Sequence, residues 1–244
     1  MITAKAMAHR AIHELLDWMG LNVSYARTIR DPVKLLVNKA AELETRTILD
    51  VGANVGQFGS AIRKLGYAGA IVSFEPLSAA HNRLTKVASG DPAWYVAPRM
   101  ALGEANGVSI INVSHNLASS SLLQVEQRSV TAAPLSGYCS TEEVPVNRLD
   151  EVIDPGWSGP YAMKLDTQGF ELHVLRGAPN TLGRTKVVMV EMSLAPLYAG
   201  GASFLDVYRF FEDNGFRCIT LTHGFADHER NELLQMDGVF VRDR

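Results

Sequence analysis

The chain has 244 residues, 47% of them hydrophobic, with 23 basic and 26 acidic side chains and a net charge of -3. That length buries one sizeable core, so a single domain with an appendage is expected, while the slight acidic balance gives no field for a nucleic-acid backbone or for anionic lipid. Cys139 and Cys218 are far apart and lack CxxC spacing, which argues against a zinc knuckle or a disulfide framework and fits a reducing cytoplasm.

The first twenty residues place Ile12, Leu15, Leu16 and Met19 on one helical face, interrupted by His13, Glu14 and Asp17 where a signal peptide needs a continuous apolar core. Such a helix has several roles open to it: packing on the domain body, a lid, a dimer contact, or peripheral docking on a membrane that carries a lipidic acceptor. No run reaches the roughly 20 apolar residues that span a bilayer. Residues 1–44 are read as an N-terminal helical extension and 45–244 as the domain proper.

Thr47 to Val51 is a short β-branched apolar run, broken by Gly52 and Gly56 before an amphipathic stretch through Leu65; a second run, Ala70 to Phe74, ends in Glu75. Strand, glycine loop, helix, strand and acidic residue make a nucleotide-type cofactor site, with Glu75 lying 23 residues past Gly52, close to the offset at which a carboxylate meets a ribose diol. The glycines run Gly52, Gly56, Gly59, and Asn54 stands where a dinucleotide fingerprint wants its second glycine, so a pyrophosphate is poorly served. Asp50, read as facing the loop, repels phosphate and attracts an ammonium or sulfonium ligand. S-adenosylmethionine carries both cations and no phosphate.

Leu77 to Ser89 reads as a helix, Ala93 to Ala97 and Val108 to Val113 as strands, and Ser114 to Leu123 as a serine-dense segment. Gln124 to Ser140 is the least patterned stretch and a place for a substrate lid. A strand over Tyr161 to Leu165, a helix from about Phe170 to Arg176, an apolar strand from Lys186 to Val190 ending in Glu191, and an amphipathic helix over Phe204 to Asn214 follow, before two final strands, Arg217 to Leu221 and Gln235 to Val241. Alternating strands and helices predict a doubly wound α/β fold with a mostly parallel sheet, and the final pair suggests an antiparallel edge strand.

Four blocks, DVGANVGQFG at 50–59, SFEP at 73–76, KLDTQGFELHVLRGA at 164–178 and VEMSLAPLY at 190–198, with ASSSLL at 118–123, resemble the FkbM family of S-adenosylmethionine-dependent methyltransferases. The resemblance implies a class I (Rossmann-like) methyltransferase sheet of seven strands over 45–244. It also implies O-methylation of a hydroxyl on a small molecule, a polysaccharide, a glycolipid or a glycosylated natural product. By that likeness Asp50, Gly52, Asn54 and Gly56 line the methionine end of the cofactor, Glu75 holds the ribose hydroxyls, and RMALG at 99–103, centred on Ala101, lies near the adenine.

An alcohol needs a general base or a metal before it becomes a good nucleophile. Asp166 follows a strand at the carboxyl end of the sheet and is the first candidate base; Gln168 and Glu171 follow it closely, and Lys164 reads as structural, paired with a carboxylate or at the edge. Glu191 beside Asp166 would suit Mg²⁺, or else order the loop that follows it. His115, ahead of the serine segment, is a second candidate base, while Ser119 and Ser120 are candidate donors to a hydroxylated acceptor. Two rivals share parts of this pattern: an NAD-dependent oxidoreductase, and a scaffold that keeps the cofactor pocket without turnover.

Overall fold

The computed structural model describes residues 31–242, and the amphipathic stretch around Ile12 to Met19 lies outside them. In chain order the elements are α1 (Pro32–Glu42), β1 (Thr47–Val51), α2 (Gln57–Lys64), β2 (Ala70–Phe74), α3 (Ser78–Ala88), β3 (Trp94–Val96), β4 (Ala101–Leu102), β5 (Gly107–Ser114) and α4 (Gln127–Ala132). They continue with β6 (Tyr138–Asn147), α5 (Leu149–Val152), β7 (Tyr161–Leu165), α6 (Glu171–Arg176), α7 (Pro179–Gly183), β8 (Thr185–Ser193), α8 (Phe204–Asp213), β9 (Phe216–His223), β10 (Ala226–Asp227), β11 (Glu232–Leu233) and β12 (Gln235–Arg242).

Asp31 starts α1 by accepting the Lys34 amide at 2.9 Å, and Pro32 occupies the first turn, where no N–H is needed. This helix lies within the extension expected at 1–44, and it buries Leu36, Val37 and Ala40 in the same core as Ile48, Ile71, Ala162 and Val187. At the other end of the chain, a capping box between Ser203 and Asp206 starts α8, which lays Val207 and Phe211 on the sheet and stacks Phe211 on Phe240, ring centres 4.6 Å apart.

Seven strands form the central sheet in the order β3-β2-β1-β7-β8-β12-β9. The strand pairs from β3 through β8 are parallel, and β12 runs antiparallel to both β8 and β9. The expected antiparallel strand is therefore present one place in from the edge, and β9 forms the edge itself. All five residues of β1 are buried, as a parallel strand covered on both faces requires. Period-2 alternation still sorts them: Ile48 faces the core under α1, α2 and α3, while Leu49 and Val51 face the core under α6, α7 and α8.

A second sheet, β4-β6-β5, rises from the middle third with the serine segment beside it, so the stretch 124–140 expected to lack pattern carries α4, a short 3₁₀ turn and the start of β6. No helix among the described residues is long and apolar enough to cross a membrane.

Candidate active site

Strand order reverses at β1 and β7: β2 and β3 extend the sheet one way from β1, β7 and β8 the other. Ligands of open α/β sheets bind in the crevice at such a point, outside the carboxyl ends of the strands. A cavity of about 450 Å³ opens there, with Gly52, Asn54, Glu75, Ala101, Ser120, Lys164, Asp166, Gln168, Glu191 and Asp237 in its wall.

Its first half is local backbone work. Gly52, φ +75°, follows β1 so closely against the end of β7 that an added Cβ would lie 1.9 Å from the Asp166 carbonyl oxygen. Asn54 is also left-handed, φ 48°, which a short polar side chain tolerates. It presents its N–H to Glu75 Oε2 at 2.7 Å, while Leu77 N–H reaches Glu75 Oε1 at 2.9 Å. Burial pushes the Glu75 carboxyl up to about 7, despite those two donors. The Asn54 side-chain oxygen is buried with no hydrogen-bond partner. Met100, Ala101 and Leu102 supply an apolar wall.

The second half is side chain on side chain, gathered from distant segments. Gln168, strained at φ 55°, donates its side-chain Nε2 to Asp166 Oδ1 at 2.6 Å and to Glu191 Oε2 at 2.8 Å, and its Oε1 accepts the Tyr198 hydroxyl. Gln235 Nε2 adds a second bond to Glu191 Oε2 at 2.7 Å, and Asp237 pairs with Glu191 in the β12–β8 register. Burial, reinforced by Asp166, Glu171 and Asp237, pushes Glu191 well above the ordinary carboxylate range. Burial and the Asp166 charge raise Asp237 to about 6, with Lys164 opposing. Beneath the loop, Glu171 Oε1 gathers the Thr167 and Gly169 amides at 2.9 and 3.2 Å, which fixes the turn that carries Asp166 and Gln168.

Lys164 joins the halves. Its Nζ donates to Gly52 O at 2.6 Å and lies 3.5 Å from both Asp50 Oδ1 and Asp166 Oδ2. Burial works against its charge, but Asp166 and Asp50 outweigh that and hold the ammonium above the ordinary lysine value.

The structure does not bring every expected residue here. Asp50 is fully buried and is not in the cavity wall; it shares a face of the sheet with its rung neighbours Ser73 and Lys164, and Ser73 Oγ donates to it at 3.2 Å. The carboxylate read as facing the loop is thus the counter-ion of Lys164. Gly56 turns from the cavity as well: at φ +90° it caps α2 against Leu84 and Trp94. His115 is exposed and lines nothing in the cavity, and Ser119 is tied to Asn116, whereas Ser120 and Ser121 do line the wall.

Magnesium does not fit between Asp166 and Glu191. The bridging place a cation would take holds the Gln168 amide N–H, and no group of three or more His, Cys, Asp or Glu side chains among the described residues is arranged to hold a metal. Asp237 escaped the sequence reading. Its signal was an acidic residue near the start of an otherwise apolar final strand, QMDGVFV.

The model of the "Methyltransferase FkbM domain" matches residues 50–218. A relative, hexuronic acid methyltransferase AglP of Haloferax volcanii, is 26% identical over 164 residues, spanning 67% of this chain and 62% of that protein, so the chain matches less than two thirds of that relative's length. Among solved structures the fold is similar to that of an uncharacterized protein of Listeria monocytogenes serotype 4b, with TM-score 0.51, 9% identity and coverage of 88% of this chain and 68% of that one. A putative RNA methyltransferase from Pyrococcus horikoshii has TM-score 0.45 and 11% identity, covering 95% of this chain and 98% of that chain. At 9% identity the Listeria monocytogenes structure speaks to fold alone. Fold and family together imply S-adenosylmethionine as cofactor. The family match covers well over half of the chain, across both halves of the cavity, and the chain therefore belongs to the FkbM methyltransferase family.

Proposed function

We propose that this protein is an S-adenosylmethionine-dependent O-methyltransferase whose acceptor is a sugar hydroxyl in a glycan, a glycolipid or a glycosylated small molecule, with Asp166 as general base. One observation carries the reading: Asp166 stands in the cavity wall with its Oδ1 held by Gln168 and its Oδ2 beside Lys164, and its side chain retains 39% of its exposure. Of the acids lining the cavity it is the one that stands beside the Lys164 ammonium, at 3.5 Å.

The residues present fit the cofactor. Glu75 offers a buried carboxylate to ribose hydroxyls, the unpartnered Asn54 oxygen suits an ammonium donor, and Met100, Ala101 and Leu102 suit an adenine face. A dinucleotide fits worse, because the loop amides that would cradle a pyrophosphate are already spent. Gly52 and Ala53 donate to Phe74 O, Asn54 to Glu75 and Gly56 to Ala53 O.

When bound, S-adenosylmethionine supplies an electrophilic methyl group on a sulfonium. The chain's part is to hold an acceptor oxygen in line with it and to take the hydroxyl proton on Asp166 Oδ2 as the oxygen's new bond forms. Lys164 stabilises the Asp166 carboxylate beforehand, and Gln168 fixes its plane. A glycan rather than a nucleic-acid acceptor is supported by the net charge of -3, and two unbridged cysteines support a reducing, cytoplasmic setting.

The test is calorimetric titration with S-adenosylhomocysteine and with NAD, each with and without Mg²⁺, followed by turnover on a panel of glycosides. Binding of S-adenosylhomocysteine independent of Mg²⁺, with methyl transfer to a sugar, is the expected result. Binding of NAD in its place, or transfer only to nucleic acid, would overturn the proposal.

A further inference from the structure

The acceptor half of the cavity has an unusual charge balance. Asp166, Glu191 and Asp237 all stand in its wall, and the one cationic side chain lining it among the described residues is Lys164. That ammonium has no donor to spare: Gly52 O lies at 2.6 Å, Val51 O at 3.4 Å, and Asp50 Oδ1 and Asp166 Oδ2 each at 3.5 Å. A carboxylate or phosphate on the acceptor would enter beside three acids and find no free cation. Hydroxyl groups face the opposite situation, since they arrive as donors and the wall offers spare acceptors. The Asp237 carboxylate accepts no hydrogen bond from any described residue, and Glu191 uses Oε2 for both of its amide donors and leaves Oε1 without one. Val33, Phe58, Ala61 and Met189 complete the wall as apolar surface, suited to the C–H face of a pyranose.

We infer that the acceptor is a neutral sugar carrying a vicinal diol, one hydroxyl meeting Asp166 for methylation and its neighbour held by Glu191 and Asp237, and that acidic sugars are rejected. This rests on the O-methyltransferase reading above, and it departs from the hexuronic acid named for the Haloferax volcanii relative. Asp237 would then be a specificity-determining residue. Burial, and after it the neighbouring carboxylates, hold the Glu191 and Asp237 carboxyls above the ordinary carboxylate range, in agreement with acids gathered around a space built for donors.

The experiment uses matched pairs, the methyl glycosides of glucose, galactose and mannose against the corresponding methyl uronosides. Binding to the full chain saturated with S-adenosylhomocysteine is measured by calorimetry, and turnover with S-adenosylmethionine alongside it. At least one neutral member is expected to bind and react about 100-fold better than its uronoside near pH 8, above the value of about 6 to which burial and the Asp166 charge raise Asp237. Asp237→Asn should lower kcat/KM for that neutral sugar about tenfold, the effect of one lost charged hydrogen bond, and narrow the neutral-to-acidic ratio while S-adenosylhomocysteine affinity holds. A uronoside that equals or exceeds its neutral partner would overturn this inference and leave sugar O-methylation standing. No binding or turnover by either member of any pair, in protein that still binds S-adenosylhomocysteine, would overturn the sugar reading and this inference with it.

Discussion

The two halves of the cavity are built by opposite means. In the cofactor half, Glu75 is fixed by main-chain amides of Asn54 and Leu77, all within one strand–loop–helix–strand unit. In the acceptor half, Asp166, Gln168, Glu191, Tyr198 and Gln235 hold one another through side chains drawn from β8 and β12 and from the loops that follow β7 and β8, and Asp237 stands beside Glu191 by strand register. Main-chain fixation is insensitive to most substitutions, so the first half tolerates sequence change as long as its loop keeps its shape. A side-chain network lacks that protection. The family match, over residues 50–218, reaches into both halves and stops short of Gln235 and Asp237.

Asp166→Asn attacks the second half at its centre. The isosteric amide cannot take the hydroxyl proton, so kcat should fall by about 10³-fold, within the usual span for a general base. Affinity for S-adenosylhomocysteine should stay within about twofold, because the Asp166 carboxylate reaches the first half only through Lys164, whose 2.6 Å bond to Gly52 O does not depend on it. Equal turnover by variant and wild type would remove Asp166 from the mechanism and dissolve the contrast between the halves.

Gly52→Ala strikes the seam between them. A methyl group placed 1.9 Å from the Asp166 carbonyl, on a residue at φ +75°, forces β1 and β7 apart. The loss should be about 3 kcal/mol, which lowers Tm by about 8 °C for a domain of this size. Thermal melts of the two proteins would check it, and an unchanged Tm would mean that the loop relaxes freely.

Glu75 makes the first half sensitive to pH. Its carboxyl titrates near 7 in the folded chain against an ordinary value of 4.5, so between these values the native state binds the extra proton and stability falls as pH rises. Glu75→Gln cannot titrate. Whatever its offset at pH 5, the variant should lose about 3 kcal/mol less than wild type on going from pH 5 to pH 8 in urea denaturation. In the role proposed for Glu75, ribose hydroxyls would donate to the ionised carboxylate, so S-adenosylhomocysteine should bind wild type more tightly at pH 8 than at pH 6. The variant should bind about tenfold more weakly at pH 8, with no such trend. A parallel pH profile for the two proteins would show that Glu75 is not the titrating group.

How much of this was legible in the sequence follows the same divide. The strand boundaries of β1, β2 and β7, the glycine loop and Glu75 could be read because each depends on neighbours a few residues away. Asp50 was misplaced because a one-residue change in strand position selects the opposite face, and only the pairing of Asp50 with Ser73 and Lys164 reveals which face it takes. Asp237 was overlooked because its neighbour Glu191 is 46 positions earlier, and the antiparallel register of β12 on β8 is what joins them. The helix at Pro32–Glu42 went unassigned although Asp31-Pro32 is a good start signal, since its partners Ile48 and Val187 lie on strands still to be placed.

The smallest effect tests the finest part of the contrast. Tyr198 touches neither half of the cavity wall directly; its hydroxyl donates to Gln168 Oε1, with Ser119 O a longer second acceptor at 3.3 Å, and the shorter bond favours the way the amide faces. With the oxygen so occupied, Nε2 must point at Asp166 and Glu191. Tyr198→Phe removes the constraint and allows the amide to turn its oxygen toward two carboxylates, an arrangement that repels. One neutral hydrogen bond contributes about 1 kcal/mol, so kcat should fall about fivefold with the KM for cofactor unchanged. The pH profile of kcat should also shift, because Glu191, whose carboxyl burial already holds well above the ordinary range, loses an amide donor as well. Gln168→Glu in the same assay would replace the donor with a third acid and should cost more than Tyr198→Phe. If both variants matched wild type in rate and pH profile, Asp166 would be held by its strand and Lys164 alone, and the acceptor half would be as dependent on main chain as the cofactor half.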